Sequence, residues 1–109
     1  MVVKDIVWLG GEIKSPPFSK LARIESGDLL RLLQDGTSLS MPHSRPLPGI
    51  GKNCHELRIQ DENVSWRIVL HLDTQKIVIL NVFEKKTEAT PKSVIELCKR
   101  RLAHFRNSR

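Results

Sequence analysis

Four basic side chains, in three separate segments of this chain, have the types and the spacing to hold a phosphate group. Arg58 lies in the segment "ELRI" and Arg67 in the segment "WRIV", whereas Lys85 and Lys86 follow an apolar run that ends at Phe83. Two planar guanidinium forks can clamp one phosphate group, and lysine adds a compact positive charge. If the fold brings these side chains together, the cluster requires an anion as its partner.

The two arginine segments are predicted to pair as antiparallel strands in one particular register. Pairing Ile59 with Trp66 places the large apolar side chains of both strands on one face, and a shift of one residue would reverse every face. The opposite face then carries Glu56, Arg58, Arg67, Val69 and His71. The predicted site therefore lies on the face of the sheet that points away from the core.

The predicted register places two like charges side by side. Arg58 lies directly opposite Arg67, and such a pair costs about 0.2–1 kcal/mol relative to a neutral pair. One explanation is an anion held between the two guanidinium groups. The alternative is that both arginines point into water while Glu56 bridges diagonally to Arg67. Because Arg67 is expected on the polar face, we expect its replacement by alanine to leave stability unchanged or slightly raised.

The lysine pair has two interpretations. If the third strand pairs beside "WRIVLHL", its end at Phe83 lies near Arg67, and the two lysines join the arginines around one concavity. Alternatively, Lys85 and Lys86 are a solvated strand end that serves solubility alone. The first interpretation predicts a cluster of four cations.

The positions of glycine and proline, together with hydrophobic periodicity, predict the elements that would position these residues. A short strand from Asp5 to Leu9 is followed by a helical segment from Pro16-Pro17 to about Gln34, with Gly36 as its C-terminal cap. The proline-rich segment "SMPHSRPLPGIGKN" is predicted to be an ordered loop or a sheet edge. The apolar stripe of the helix is predicted to comprise Phe18, Leu21, Ala22, Leu29, Leu32 and Leu33.

The second half of the chain is predicted to form three strands and a helix. "HELRI", "SWRIVLHL" and "KIVILNVF" are separated by "DEN" and "DTQ", which predicts an antiparallel meander. Thr90 is predicted to cap a C-terminal helix that has Pro91 at its first position. The apolar stripe of this helix is predicted to be Val94, Ile95, Cys98, Leu102 and Phe105. The predicted fold class is α+β: a small antiparallel β-sheet meander with an N-terminal helical segment and a C-terminal helix, and with the helical layer on one sheet face.

The composition is that of one folded domain, which we expect to comprise residues 1–109. Hydrophobic residues make up 39% and charged residues 28% of the chain, which excludes a disordered protein. The apolar runs are too short to span a bilayer and the N-terminus lacks a signal-peptide pattern, so we expect a cytoplasmic protein. Cys54 and Cys98 lack metal-ligand spacing and are predicted to be reduced core residues. A net charge of +6 favours a polyanionic partner, either nucleic acid or an acidic protein.

The segments "RPLPGIG", "ELRI", "WRIV" and "VFEKKTEATPKSVIELCKRRL" occur in this order along the chain. As a set they resemble the HigB-like, phage-derived branch of the RelE/ParE toxin superfamily, and the similarity extends from about Val7 to Phe105. The resemblance implies a RelE-like fold and a ribosome-dependent endoribonuclease that cuts mRNA without a metal ion or other cofactor. It also implies a cognate antitoxin, acidic or carrying a helix-turn-helix, that silences the toxin in a hetero-oligomer. The ribosome and mRNA are the other implied partners.

The resemblance also implies roles for the basic residues. By position, Arg58, Arg67 and Lys85 match catalytic residues, and Lys86, together with Arg58 and Lys85, matches RNA-binding residues. In the implied reaction a ribose 2′-hydroxyl attacks the neighbouring phosphate, and fixed cations stabilise the negative charge that grows on its oxygens.

The same reaction needs a base that accepts the hydroxyl proton. Glu56 and His71 share the arginine face and are the two catalytic candidates for this role. As residue types, histidine has the ordinary pKa closer to neutrality, whereas a glutamate carboxylate is a ready acceptor. The remaining histidines are predicted to lie in a loop, facing the core and on a helix surface, respectively: His43, His55 and His104.

The sequence departs from the family pattern at several positions. It contains no tyrosine, Leu70 stands where relatives often carry one, and Glu88 and Ala89 replace the glutamine and lysine that relatives favour. Trp66 and Phe83 are the nearest aromatic residues, and both are predicted to belong to the core. These departures imply either reduced activity or stacking supplied by ribosomal RNA.

Two other function classes stay open: a ParE-like gyrase inhibitor with the same fold, and a nucleic-acid-binding module that cuts nothing.

Overall fold

A five-stranded sheet with one helix on each face makes up the computed structural model, which describes residues 3–14 and 17–108. In chain order the elements are β1 (Asp5–Trp8), α1 (Lys20–Gln34), β2 (Ser44–Pro46), β3 (Cys54–Asp61), β4 (Val64–Leu72), β5 (Lys76–Glu84) and α2 (Lys92–Asn107). The strands lie in the order β1-β5-β4-β3-β2; β1 is parallel to β5 and the other pairs are antiparallel. The predicted α+β fold, with its meander, N-terminal helix and C-terminal helix, is confirmed, and β1 and β2 extend the meander at its two edges.

The predicted register of the β3–β4 hairpin is also confirmed. Ile59 pairs with Trp66, and Arg58 pairs with Arg67. Trp66 stacks on Phe18 with the ring centroids 4.5 Å apart, so its indole belongs to the core as predicted. The hydrophobic pattern alone was sufficient to align these two strands.

The end of β5 lies beside the start of β4. Phe83 pairs with Arg67, and the backbone amide of Lys85 donates a hydrogen bond of 2.7 Å to the carbonyl oxygen of Ser65. This pairing places the segment that carries the two lysines next to the arginine pair.

Two separate cores lie on the two faces of the sheet. On one face, residues near and within α1 pack on the sheet: Phe18, Ala22, Leu29, Leu30 and Leu33 against Leu57, Ile59, Ile68, Leu70, Ile77 and Ile79. On the other face, residues of α2 pack on the sheet: Cys98, Leu102 and Phe105 against Ile50, Cys54, Val69, Val78 and Leu80. The prediction of one helical layer on one face is therefore wrong. The reason is the continuous apolar run of β5, which is buried on both faces and so needs a helix on each.

The ends of α1 are fixed by local hydrogen bonds. The hydroxyl of Ser19 accepts a bond of 3.0 Å from the amide of Ala22, and the amide of Ser19 donates a bond of 2.9 Å to Oδ2 of Asp61. Gly36 has a positive φ of 91° directly after the helix, which confirms it as the predicted cap. Pro16, with which the helical segment was predicted to start, lies outside the described residues.

The apolar stripe predicted for α1 is wrong at two positions. Leu21 is 79% exposed and Leu32 is 41% exposed, although Ala22, Leu29 and Leu33 are buried as predicted. The buried face includes Ser26 instead, because its hydroxyl donates a 2.8 Å hydrogen bond to the carbonyl oxygen of Ala22 and is thereby satisfied inside the helix.

The N-terminus of α2 differs from the predicted capping arrangement. Pro91, not Thr90, is the N-cap residue, and the helix has no side-chain cap there. The hydroxyl of Thr90 points instead toward the sheet, where it donates a hydrogen bond of 3.4 Å to Oε1 of Glu56. Of the predicted apolar stripe, Val94 and Ile95 are half-buried, and the buried members are Cys98, Leu102 and Phe105. Within the described ranges, neither helix is long and apolar enough to cross a membrane.

Both cysteines are free and buried, as predicted. They belong to the core beneath α2. Burial raises the pKa of the Cys54 thiol and of the Cys98 thiol to about 11, so both are protonated at neutral pH. They act as small apolar residues in this core.

Candidate active site

One open concavity of about 590 Å³ brings together the four basic residues that the sequence singles out. Arg58 comes from β3, Arg67 comes from β4, and Lys85 and Lys86 follow the end of β5. The rest of the lining consists of Ser65, Thr87 and Glu88. Three separate segments thus place their cations around a single opening. We refer to this concavity as the basic concavity.

A buried glutamate underlies this cluster. Glu56 is 0% exposed, and its Oε2 lies 3.3 Å from Nη2 of Arg45 and 3.8 Å from Nε of Arg67. Its Oε1 accepts the 3.4 Å hydrogen bond from Thr90. Among the described residues, Glu56 Oε2 has ion pairs with the two arginines but no hydrogen bond of good geometry. The carboxylate is therefore compensated chiefly by the charges of Arg45 and Arg67.

Arg67 is a buried cation with a fixed orientation. It is only 7% exposed, and its Nη1 donates a 3.0 Å hydrogen bond to the carbonyl oxygen of Trp66. Burial lowers the pKa of Arg67, an effect that Glu56 partly offsets and that Arg58 and Arg45 reinforce. Arginine still carries its charge at neutral pH, and a partly desolvated charge interacts more strongly with a bound anion than one in water.

Arg58 is turned in a different direction. Its Nη1 donates to Sδ of Met41 at 3.5 Å, toward the turn that precedes β2, whereas Arg67 is held by Glu56 and the carbonyl of Trp66. The predicted diagonal ion pair between Glu56 and Arg67 is present. The expectation that this alternative leaves both arginines in water is wrong for Arg67, which is only 7% exposed.

The two lysines differ in their surroundings. Lys85 is half-buried and Lys86 is exposed. Burial lowers the pKa of Lys85, the repulsion of the nearby arginines lowers it further, and Glu56 partly offsets both effects. Lys85 is therefore a stronger acid than an ordinary surface lysine.

The structure does not bring His71 into the basic concavity. Its ring lies beneath α2, with Nδ1 3.7 Å from Sγ of Cys54 and the ring edge against Phe105, and the residue is 6% exposed. Arg67 is four positions away, or about 13 Å along the strand. The prediction that His71 shares an open face with the arginines is wrong because α2 covers this part of the face.

Glu56 is close to the cations but is not open to solvent. Both carboxylate oxygens point toward protein groups, one toward Arg45 and Arg67 and the other toward Thr90. As the pair of Arg67, Glu56 is placed to orient a guanidinium group rather than to meet a substrate.

Two residues of the site were missed in the sequence. Arg45 of β2 pairs with Glu56 of β3, and His43 lies one position before Ser44, the first residue of β2. A second concavity, of about 320 Å³, is lined by Glu25, Pro42, His43, Arg58, Gln60 and Arg67. His43 and Arg45 are two positions apart in "HSRPL", so they share a face if this segment is taken as an edge strand, and this spacing is the signal that could have found them.

Comparison with known proteins identifies a family for most of the chain. The model of the family described as "Phage derived protein Gp49-like (DUF891)" matches residues 17–103. The matched region includes every residue of the basic concavity and Glu56 beneath it. No curated protein matches the chain.

Proposed function

This chain belongs to the phage-derived Gp49-like family, a RelE/toxin-like family, and we propose that it is the toxin of a toxin–antitoxin pair that cuts mRNA on the ribosome. The observation that carries the proposal is the convergence of Arg58, Arg67, Lys85 and Lys86 around one open concavity. Glu56 compensates part of the charge of Arg67, and Glu88 adds a second carboxylate to the lining, but the four cations outnumber these carboxylates. The excess positive charge favours a further anion, and an RNA phosphate supplies it.

The geometry of Arg67 supports catalysis rather than binding alone. Its guanidinium group is oriented before substrate arrives, by Glu56 on one side and by the carbonyl of Trp66 on the other. A donor that needs no reorganisation stabilises a developing charge far better than a mobile surface side chain. Arg58 adds a second guanidinium group directly across the strand pair.

The proposed reaction is an internal transfer of the phosphate. The 2′-oxygen of the ribose forms a bond to phosphorus, the bond from phosphorus to the 5′-oxygen breaks, and its electron pair leaves with that oxygen. Arg58 and Arg67 stabilise the charge on the non-bridging oxygens, and the ammonium group of Lys85 protonates the departing 5′-oxygen. The lowered pKa of Lys85 favours this proton transfer. The products are a 2′,3′-cyclic phosphate and a 5′-hydroxyl.

Charge supports the proposed partners. The net charge of +6 and the open basic concavity favour association with ribosomal RNA and mRNA, with Lys86 and Lys85 on the RNA backbone. The same cluster suits an antitoxin that carries acidic side chains or a helix-turn-helix domain and silences the toxin in a hetero-oligomer. The site of action would be the cytoplasm, where ribosomes translate.

Controlled expression in a bacterium tests this proposal. Expression of the wild-type chain alone should arrest growth and produce new mRNA 5′ ends within translated reading frames, whereas the double variant Arg58→Ala/Arg67→Ala should do neither. Unimpaired growth at confirmed soluble expression would contradict the toxin. Growth arrest with damaged DNA and intact mRNA would point to gyrase inhibition instead, and binding to RNA without new ends would point to a non-catalytic module.

A further inference from the structure

The proposed reaction lacks one group, the acceptor for the proton of the 2′-hydroxyl. Glu56 is enclosed by Arg45, Arg67 and Thr90, and His71 lies in the core beneath α2. Without an acceptor near the phosphate the 2′-oxygen is a poor nucleophile at neutral pH, and a positioned base is typically worth about 10²–10⁴ in rate. Another group close to the arginine pair must therefore accept this proton.

His43 is a strand neighbour of the arginine pair. The amide of Arg58 donates a hydrogen bond of 2.9 Å to the carbonyl oxygen of His43, which continues the β2–β3 pairing by one position beyond Ser44 and Leu57. Arg58 in turn pairs with Arg67. His43, Arg58 and Arg67 thus form a row across three adjacent segments of the sheet.

The side chain of His43 is exposed and lines the second concavity with both arginines. Arg58 is turned toward Met41, which is in the same turn as His43, and an anion bound by Arg58 within this concavity would share it with the imidazole ring. The other charged group that lines this concavity is Glu25 of α1. His43 is the one imidazole among the residues that line either concavity in the described part of the chain.

The two concavities have Arg58 and Arg67 in common; Lys85 lines one concavity and His43 lines the other. In the strand order β5-β4-β3-β2, the segment of Lys85 lies on the β5 side of the arginine pair, next to β4, and His43 lies on the β2 side, next to β3. In a displacement at phosphorus the attacking and leaving oxygens are roughly in line on opposite sides of the phosphate. A phosphate held by the two arginines would therefore present its 2′-hydroxyl to one concavity and its 5′-oxygen to the other.

We propose that His43 is the general base that accepts the proton of the attacking 2′-hydroxyl, an inference that rests on the proposed nuclease activity. The proton moves from the 2′-oxygen to the unprotonated imidazole nitrogen as the 2′-oxygen forms its bond to phosphorus. The bond to the 5′-oxygen breaks on the opposite side, and this oxygen takes its proton from Lys85. After the products leave, His43 returns its proton to water and Lys85 takes one from water, which restores both groups.

The test is single-turnover cleavage of ribosome-bound mRNA by the His43→Gln variant, measured as a function of pH from about pH 5.5 to pH 8. The wild-type rate should rise with pH, because a general base must be unprotonated to accept the proton of the 2′-hydroxyl. The variant should be about a hundredfold slower and should lack this rise. Ribosome affinity and melting temperature should match the wild type, because the backbone carbonyl of residue 43 still accepts from Arg58. His104→Gln, an exposed histidine of α2 outside both concavities, is the matched control and should behave as wild type.

Three other outcomes would overturn this inference. A His43→Gln variant with the wild-type rate and pH profile would exclude His43 as the base while leaving the nuclease activity in place. A loss of rate that is fully explained by weaker ribosome binding would make His43 a binding residue. A wild-type protein that cuts no ribosome-bound mRNA would contradict the nuclease activity itself and, with it, this role of His43.

Discussion

Arg67 Nε lies 3.8 Å from Oε2 of Glu56, and Glu56 is completely buried. The arginine expected to lie on a polar face is therefore a partner of a buried carboxylate. Taking one member from such a pair leaves the other charge poorly compensated, which costs more than the pair contributes. The expected effect of Arg67→Ala on stability changes sign as a result.

Arg67→Ala should now destabilise the protein in addition to reducing its activity. We expect a loss of about 3 kcal/mol in the free energy of unfolding, at the lower end of the usual range because Arg45 still pairs with Glu56. Urea unfolding of the purified variant measures this loss. Arg58→Ala is the matched control and should lose much less, since Arg58 is half-buried and its side chain bonds only Met41 among the described residues. Equal stability of the two variants would contradict the role of the buried ion pair.

The combination Arg67→Ala/Glu56→Gln should recover part of the lost stability without recovering activity. The neutral amide removes the uncompensated charge, and the missing guanidinium group still leaves the phosphate site incomplete. The same unfolding and cleavage assays measure both effects. A double variant less stable than Arg67→Ala alone would show that Glu56 is stabilised by Arg45 and Thr90 without Arg67.

Lys85→Arg should separate charge from proton transfer. Arginine keeps the positive charge but does not give up a proton in proteins, so the departing 5′-oxygen loses its acid. We expect about a hundredfold slower cleavage with ribosome affinity retained. Lys86→Arg is the matched control because Lys86 is exposed beside it, and this variant should cleave normally. Normal cleavage by Lys85→Arg would contradict the role of Lys85 as an acid and would leave it only a role in binding RNA through its charge.

The double variant Lys85→Gln/Lys86→Gln should bind ribosomes more weakly with little change in stability. Each lysine that meets a phosphate contributes about one unit to the slope of log K against log salt, so the slope should flatten by roughly one to two units. Binding measured across a salt series, with thermal melts as the control, tests this effect. If the wild type and the double variant have identical slopes, Lys85 and Lys86 do not contact phosphates and serve only to keep the end of the strand soluble.

Asp61 should make stability depend on pH in the acid range. Hydrogen bonds from the amide and hydroxyl of Ser19 lower the pKa of Asp61, so its charged form is favoured in the folded state. The stabilisation is present above the ordinary pKa of aspartate and is lost as the pH falls through the lower folded value. Asp61→Asn should therefore melt at a lower temperature near pH 7, and the difference should shrink in acid. Asp28→Asn, exposed on α1, is the control, and a constant difference at all pH values would contradict this role.

Much of the fold followed from local patterns. The β3–β4 register could be derived because only one alignment places Ile59 and Trp66 together with the other large apolar groups. The helix end at Gly36 and the buried thiols of Cys54 and Cys98 follow from equally local signals. These features depend on neighbours in sequence or on a single hairpin, and so they are readable without the tertiary structure.

The predictions that were wrong or missing concern residues whose surroundings depend on contacts between elements that are distant in sequence. The position of α2 on the arginine face depends on how Val78 and Leu80 of β5 pack against α2, and no pattern within β4 alone shows that His71 will be covered. Thr90 has the residue type of a helix cap, but its hydroxyl donates at 3.4 Å to the buried carboxylate of Glu56, which comes from a distant strand. Arg45, the third charge of this network, comes from a three-residue strand that is too short for periodicity to reveal.

The most direct test of the proposed reaction uses one 2′-deoxynucleotide. Cleavage is first mapped on a short mRNA bound to ribosomes, and the nucleotide on the 5′ side of the cut is then replaced by its 2′-deoxy form. Our account predicts efficient cleavage of the all-ribose mRNA to a 2′,3′-cyclic phosphate, no cleavage of the substituted mRNA at that position, and little cleavage of either one without ribosomes. Cleavage of the 2′-deoxy mRNA at the same position and rate would contradict it.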